Sequence, residues 1–329
     1  MDVKEFGSLV ALTIAIFGSA PAAEAQQGRK IPRLCFVSPN PIAFQAAEYD
    51  AFLRSLRHSG YENGRSIAID YLSADGRVDR FPALAAECLR LKADVIVART
   101  TPAAVAAKKA TGTVPIVTLL TGDPVGTGLV KSLARPGGNV TGLSHLATGL
   151  SAKRLQLLKE AVPGISRVVV LANFVDPVAA PQVKELEDAA RLLGVRLLIQ
   201  DIRTPDALPG AFSAAAEDGA QGLLTTVEAI FSQNRKRVIE LAAKHRLATM
   251  HPWIDFVEVG GLMYYGVSRF ELYRDAATLA GKILSGAKPA DLPIEQPTKF
   301  EFIVNLKAAR SLGITIPHSV LLRADRVIE

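Results

Sequence analysis

The stretch Asp94–Gly128, DVIVARTTPAAVAAKKATGTVPIVTLLTGDPVGTG, decides the fold of this 329-residue chain. It predicts one β-α-β unit, with a short strand at Asp94–Ala98, a helix that opens at Thr101-Pro102 and a second strand at Val114–Leu119. Continuous apolar strands that alternate with helices are typical of a parallel sheet covered on both faces. We therefore expect an α/β protein that binds its ligand at the carboxyl ends of its strands.

The start of this helix is a candidate anion site. We expect Thr101 at the N-cap and Pro102 at the first helical position, where a missing N–H costs nothing. The free backbone amides of Ala103 and Ala104 then point out of the carboxyl end of the strand and can bind a negative group.

The α/β pattern of this unit extends through the rest of the chain in two similar halves. Apolar strands and amphipathic helices alternate from Pro32 to about Gly142, and the alternation starts again at Ser151. Each half is close to the size of one small α/β lobe, so the sequence predicts two doubly wound parallel-sheet lobes. The tail from Arg269, which carries a helix, a Pro-rich crossing and a strand at Phe300–Asn305, is expected to pack back across both.

The first 25 residues have the layout of a cleaved secretion signal. The apolar run Leu9–Ala20 is too short to span a bilayer as a helix, and the small residues of Ala23-Glu24-Ala25 follow it. We expect cleavage after Ala25 and a periplasmic mature protein. A mis-chosen start codon and a buried N-terminal helix are the alternatives, because Lys4 is the only basic side chain ahead of the apolar run.

Charge and cysteine content favour no special partner. The formal charge is +6, but the basic residues are scattered along predicted helices without interleaved aromatic residues, so we expect solvated helix faces and no nucleic acid. Cys35 lies in the first predicted strand and Cys88 on the apolar side of a helix. In an exported protein these two are able to pair, although two buried free thiols fit their positions better.

The motifs of common enzymes are missing from the sequence. It has no GxSxG nucleophile elbow and no GxxxxGK[ST] phosphate loop, and Lys131 stands where a dinucleotide fingerprint that starts at Gly126 needs its third glycine. The five histidines lack metal-ligand spacing, so we expect neither a metal nor a cofactor and place all five at the surface or at interfaces.

Polar residues at the predicted strand ends of both halves form the candidate site. Two such sets across a cleft suit a small zwitterion, with helix N-termini and hydroxyls for its carboxylate and Asp123 or Glu228 for its ammonium. The candidates are Ser38, Thr101, Ala103, Asp123, Asn173, Thr226, Glu228, Tyr265 and Ser268. Simpler roles stay open, since Asp123 can be a turn or cap residue, Ser38 and Asn173 loop formers, and Glu228 a favourable charge at a helix start.

Long runs of the chain resemble one family. They are DVIVARTTPAAVAAKKAT (94–111), GDPVGTGLVKSLARPGGNVTGLS (122–144), GGLMYYGVSRFELYRDAA (260–277) and ADLPIEQPTKFEFIVNLKAARSLGITIP (290–317). The chain resembles the ABC-transporter substrate-binding proteins that include the tryptophan/tyrosine-type binding proteins. It departs from their pattern at Arg99 and Thr100, where members often have Gly or Ser, and at Phe174, Tyr264 and Ser268.

This resemblance implies a type I periplasmic-binding-protein fold, with two lobes joined by three crossovers that close on the ligand by hinge motion. It implies an N-terminal lobe of residues 26–147 plus part of 267–296, and a C-terminal lobe of 148–266 plus part of 297–329. It further implies a monomer that binds a small organic ligand, such as an amino acid or aromatic acid, and delivers it to a membrane permease.

Two other functions compete with this one. An exported α/β enzyme such as a hydrolase needs a nucleophile–base pair, which the sequence does not offer. A ligand-responsive regulator of the same fold carries a basic helix-turn-helix ahead of the first strand, where this chain has its predicted secretion signal. A sensor that reports to a membrane kinase remains a variant of the binding-protein hypothesis.

Overall fold

The structure, a computed structural model, describes residues 31–145 and 148–329. The predicted secretion signal at 1–25 lies outside the described residues. Residues Ile31–Glu329 form one unit, and its elements are numbered in chain order. The strands are β1 Arg33–Ser38, β2 Ala68–Ser73, β3 Val95–Thr100, β4 Ile116–Thr121, β5 Val140–Ser144, β6 Arg167–Ala172, β7 Arg196–Asp201, β8 Gly222–Thr225, β9 Ala248–His251, β10 Met263–Gly266, β11 Ile294–Glu295, β12 Glu301–Asn305 and β13 Arg326–Ile328.

The α-helices alternate with these strands, as the apolar pattern predicts. They are α1 Ala46–His58, α2 Phe81–Arg90, α3 Thr101–Ala110, α4 Ser151–Ala161, α5 Ala179–Leu193, α6 Leu208–Glu217, α7 Ala229–Gln233, α8 Arg235–Lys244, α9 Asp255–Glu258, α10 Arg269–Leu284, α11 Leu306–Leu312 and α12 His318–Leu321. None of the helices within residues 31–145 and 148–329 has the length and apolar character that a membrane crossing requires.

The strands form two sheets. The first has the order β2-β1-β3-β4-β5-β11 and is parallel throughout. The second has the order β7-β6-β8-β9-β10-β12-β13, in which only the β10–β12 pairing is antiparallel. The chain passes between the sheets three times, after β5, between β10 and β11, and between β11 and β12. Two α/β sheets with interleaved helices confirm the predicted fold class.

Each sheet reverses its strand order at one point. In the first sheet the chain moves from β1 outward to β2 and then back to β3 on the other side, and in the second it moves likewise from β6 to β7 and back to β8. The loops that follow β1 and β3, or β6 and β8, therefore diverge and leave a crevice at the carboxyl edge. This geometry makes those two edges the expected place for a ligand.

Aliphatic side chains fill most of the core, since aromatic residues make up only 6% of the chain. One aromatic cluster is an exception. Phe36 of β1 is in contact with Tyr49, Phe52, Tyr71 and Tyr273, with ring centroids 5.2 to 6.0 Å apart. Because Tyr273 belongs to α10, this cluster packs α10 against α1 and the first sheet.

Several local predictions need correction. The helix after β3 begins at Thr101, so Thr100 and not Thr101 occupies the N-cap position, and Pro102 is the second helical residue. The sequence from Glu228 to His245 predicts one long helix, but the structure has two helices that are separated at Asn234. All five histidines are expected at the surface or at interfaces, but His251 is buried in β9 and stacks on Phe256, whereas His145 is buried between the two sheets.

Candidate ligand-binding cavity

A cavity of about 30 Å³ lies where the carboxyl edges of the two sheets meet. From the first sheet, its lining includes Asn40 after β1, Arg99 and Thr100 at the end of β3, Leu120 in β4 and His145 after β5. These side chains come from four neighbouring strands, as a parallel sheet requires when it places all its carboxyl ends at one edge.

The second sheet contributes the opposite wall. Asp176 follows β6, Glu228 follows β8, Trp253 follows β9 and Arg269 follows β10. The cavity adjoins a wider opening of about 480 Å³, which we term the vestibule and which shares Thr100, Asp176, Glu228 and Ala229 with the cavity. The vestibule gives the cavity a route to solvent.

The acidic side of the cavity consists of two carboxyl groups. Glu228 accepts hydrogen bonds from Gln182 Nε2 at 3.1 Å and from the Thr226 hydroxyl. Burial, and secondarily the nearby Asp176, raises the pKa of Glu228 to about 8. Burial likewise raises the pKa of Asp176 to about 6. Both groups therefore gain from a neighbouring cation, which would stabilise their ionised forms.

The basic side holds two buried arginines. The Nε–H of Arg99 donates to Tyr273 Oη at 2.6 Å, and among the described residues no carboxylate lies within 4.0 Å of its guanidinium. Arg269 differs, because it forms an ion pair with Asp255 at 3.3 Å and lies 4.0 Å from Glu48. It also donates to Ser232 Oγ at 3.0 Å. Of the two arginines in the cavity, Arg99 is therefore the one that has no carboxylate nearby among the described residues.

The rings of His145 and Trp253 form one wall of the cavity. The imidazole of His145 stacks on Trp253 with centroids 5.5 Å apart, and the Arg269 guanidinium lies 4.3 Å from the centre of the Trp253 ring. His145 is only 3% exposed, and burial lowers its pKa to about 3, so the ring is neutral at physiological pH. In the structure both ring nitrogens of His145 lack a hydrogen-bond partner among the described residues.

The start of α3 faces the same space. Thr100 and Thr101 both line the cavity, and the buried Thr100 hydroxyl lacks a hydrogen-bond partner within the part of the chain that the structure describes. The Thr101 hydroxyl accepts from the backbone N–H of Gly122 at 3.2 Å, which fixes the helix start against the end of β4. This arrangement presents a hydroxyl beside the positive end of a helix dipole, which suits an anion.

The cavity brings together some of the residues predicted from sequence. Thr101 and Glu228 line it, and Thr226 contacts it indirectly through its hydrogen bond to Glu228. Asn173 lines the vestibule, where its side chain accepts from Val175 N at 3.0 Å.

The other predicted residues lie elsewhere or have structural partners. Ser38 is buried and accepts from Gln45 Nε2 at 2.9 Å, while Ala103 packs in the core beside the first sheet. Asp123 accepts from Gly126 N at 2.8 Å, which is the turn role left open for it. Tyr265 lines a separate cavity with Phe300 and Phe302, and Ser268 occupies the N-cap position of α10.

Five charged or aromatic residues of the cavity are not among the candidates predicted from the sequence. They are Arg99, His145, Asp176, Trp253 and Arg269. All of them lie at or just after the carboxyl end of a strand. The rule that open α/β sheets bind ligands at this edge therefore applies to all five. Arg99 lies within the β-α-β stretch Asp94–Gly128 and Asp176 lies three residues after the candidate Asn173. His145, Trp253 and Arg269 follow strands whose place in the sheets the sequence does not give.

Comparison with known proteins identifies the class. The chain is 28% identical over 263 residues to a tyrosine-binding protein of Clostridioides difficile (strain R20291), a match that spans 80% of this chain and 75% of the relative. A conserved domain protein from Vibrio cholerae O1 biovar El Tor superposes with a TM-score of 0.85 at 28% identity and covers 91% of this chain and 100% of its own. The ABC domain from Streptococcus pneumoniae in complex with L-Trp superposes with a TM-score of 0.84 at 24% identity and covers 90% and 99%.

The fold is therefore that of the two-lobed type I periplasmic binding proteins. The family model for ABC transporter substrate binding proteins matches residues 43–328, and the chain belongs to that family. Members of this family bind solutes and are not enzymes, so the competing hydrolase hypothesis is excluded.

Proposed function

We propose that this chain is the extracytoplasmic solute-binding component of an ABC uptake transporter and that its ligand is a small zwitterion of the amino-acid type. The observation that carries the proposal is the set of buried polar atoms without partners at the cavity. Within the described residues, Thr100 Oγ1, both ring nitrogens of His145 and Arg269 Nε are buried without a hydrogen bond. Because unsatisfied buried polar groups are costly, these atoms call for a polar ligand.

The charge distribution supports a zwitterion. The Thr100 hydroxyl and the start of α3 suit a carboxylate, and Asp176 and Glu228 on the facing wall suit an ammonium group. A bound ammonium would lower the raised pKa of each acid and ionise it. The ligand would thus supply the charge balance that each wall lacks alone.

The name of the related tyrosine-binding protein supports an amino acid as the ligand class. We infer the remaining functional properties from the family and the sequence. They are lobes made of residues 26–147 and 148–266 with returning segments from 267–296 and 297–329, closure of these lobes on the ligand, delivery to a membrane permease, a monomeric state, and export to the periplasm after cleavage near Ala25.

Contacts between the sheets support closure as a reversible step. Gln233 at the end of α7 donates to Asn40 after β1, and Arg269 lies between Asp255 and Glu48. These contacts are polar, and their groups can exchange them for hydrogen bonds to water when the lobes open.

Thermal unfolding of the mature chain, starting at Gln26, tests the function. The protein is heated with each member of a panel of amino acids, aromatic acids and small dicarboxylates. A ligand present at 100 times its Kd should stabilise the fold by roughly 2.7 kcal/mol, which is a clear rise in melting temperature. If no amino acid and no carboxylate shifts the transition, the proposed ligand class is wrong.

A further inference from the structure

We infer that Arg99 forms a second anion subsite in the cavity, so that the ligand carries two carboxylates and one ammonium and is an acidic amino acid. This inference rests on the proposed function, because it specifies which solute the cavity binds. It comes from the burial and the contacts of Arg99.

Arg99 is a buried cation with most of its donors free. The side chain is 5% exposed, and a guanidinium keeps its charge at any physiological pH. Of its five N–H groups, the one on Nε donates to Tyr273 Oη, and the described residues provide no carboxylate within 4.0 Å. A charge with little access to water gains from a counter-ion, so an anion in the cavity would stabilise Arg99.

The neighbouring groups do not neutralise Arg99. Burial raises the pKa of Tyr273 to about 12, so the phenol that accepts from Arg99 is uncharged. The carboxylates of Glu48 and Asp255 face Arg269, which lies within 4.0 Å of both. Asp176 and Glu228 come from the second sheet and line the same cavity, but neither forms an ion pair with Arg99.

Positive charges also surround His145. Besides burial, the charges of Arg154, Arg269 and Arg99 all lower the pKa of His145. Arg154 is also buried, and its Nε donates to the backbone oxygen of Tyr265 at 2.8 Å. This end of the cavity is therefore positive, while the end that holds Asp176 and Glu228 is acidic.

Two anion subsites can be filled at once. Arg99 and Thr100 are consecutive at the end of β3, where successive side chains point to opposite faces of a sheet, and both line the cavity. One carboxylate of the ligand would lie at the start of α3 and the second on the Arg99 guanidinium. A carboxylate matches two parallel N–H groups of a guanidinium, which a neutral amide or a phenol does not.

The cavity of about 30 Å³ has room for no more than a few water molecules, so a ligand enters it only when the lobes open and the surrounding side chains move. The Arg99 side chain and the His145–Trp253 pair lie beside this space. An aromatic ring could instead stack on the guanidinium, so aromatic amino acids are the rival ligands that the test must include.

Calorimetric titration with isosteric ligand pairs tests this subsite. The mature protein is titrated with L-glutamate, L-glutamine, L-aspartate, L-asparagine, L-tyrosine and glutarate. We expect at least one acidic amino acid to bind about tenfold to hundredfold more tightly than its own amide, because only the carboxylate pairs with Arg99. Arg99→Gln should abolish this preference, and Arg99→Lys should retain part of it.

Two controls separate a binding role from a structural one. Tyr273→Phe removes the hydrogen-bond partner of Arg99 and should leave the acid-to-amide preference in place. The second control, Arg274→Gln, changes a surface arginine that pairs with Glu271. In urea titrations without ligand, Arg99→Gln should be at least as stable as the wild type, since a buried unbalanced charge is removed. A destabilised Arg99→Gln variant that keeps the preference would make Arg99 structural and overturn the inference.

The outcomes distinguish the two proposals. Tight binding of tyrosine or of an amide, with no preference for the acid, overturns the Arg99 subsite and leaves the amino-acid function standing. Binding of glutarate as tightly as glutamate supports the subsite and overturns the ammonium role of Asp176 and Glu228. Failure of all six ligands overturns the subsite together with the amino-acid class.

Discussion

Glu228 shows how a single residue at the cavity differs from its sequence-based description. Its position after a strand makes it a candidate, and the alternative is a favourable charge at a helix start. It does occupy the N-cap position of α7. The structure buries it at 4% exposure and bonds it to Gln182 and Thr226. Gln182 belongs to α5 and is 46 positions away, so no local pattern connects the two.

The pH dependence of stability follows from the burial of Glu228. Its pKa is about 8 in the folded state and near its ordinary value of 4.5 after unfolding. The folded protein therefore holds more protons between these two values, and stability decreases as pH rises through that window, by up to about 1.4 kcal/mol per pH unit. Glu228→Gln removes this titration, so its advantage over the wild type should grow from about pH 5 to about pH 8.

Urea unfolding at several pH values, without ligand, measures this effect. Glu258→Gln is a suitable control, because Glu258 is exposed at the end of the short helix α9. Stability curves for the wild type and Glu228→Gln that run parallel from about pH 5 to about pH 8 would show that Glu228 ionises normally in the folded protein.

At the residue scale, the sequence predicts which loops contain the site but not which side chains face it. Ser38, Thr101 and Asp123 all follow strands of the first sheet, yet among these three only Thr101 lines the cavity. The direction of each side chain depends on the last turn of the strand and on partners such as Gln45 for Ser38 and Gly126 for Asp123. These contacts form only in the folded protein.

At the element scale, the close pairing of β5 with β4 depends on one glycine. Gly142 has φ +135°, and a Cβ built there would lie 2.2 Å from the backbone oxygen of Thr118 and 2.4 Å from its nitrogen. Thr118 is fully buried in β4, and the pairing of β4 with β5 shifts register between Thr118 and Thr121. The backbones therefore approach so closely that only glycine fits.

Gly142→Ala should destabilise the protein by about 2 to 6 kcal/mol, from backbone strain and overpacking together. Gly138→Ala in the preceding turn is the matched control, because a Cβ at Gly138 meets no atom within 4 Å, and its effect should stay within about 0.5 kcal/mol. Urea titration of both variants measures the difference, with circular dichroism to establish whether Gly142→Ala folds. Equal midpoints for the two variants would disprove the close approach.

The sequence predicted most elements because apolar strands and amphipathic helices alternate in it. The apolar runs at 167–172 and 222–225 predict two strands, and the structure has β6 and β8 with these bounds. The interruption at Asn234 was missed, since neither Pro nor Gly marks it, and its side chain donates to Ile230 O at 2.8 Å to end α7. Strands β11 and β13 were also missed, because two or three residues are too few to show periodicity.

At the scale of the whole molecule, the two-lobed architecture was predictable and the meeting of the lobes was not. The repeated α/β pattern indicates two parallel sheets, and the structure contains two sheets that are parallel except for the β10–β12 pairing. The contacts between Gln233 and Asn40, or between Arg269 and Glu48, join residues about 200 positions apart. They depend on the relative placement of the sheets, which no local pattern encodes, and so does the pairing of His145 with Trp253.

The fluorescence of Trp253 tests the central claim, that the ligand binds between the two sheets. Trp253 is the single tryptophan of the chain, and it lines the cavity beside His145 and Arg269. The measurement is a titration of the mature protein with the ligand that raises its melting temperature most, while tryptophan emission is recorded. We expect a saturable change in emission with the same midpoint as calorimetric binding. Saturable binding that leaves the emission of Trp253 unchanged would place the ligand elsewhere and contradict the account.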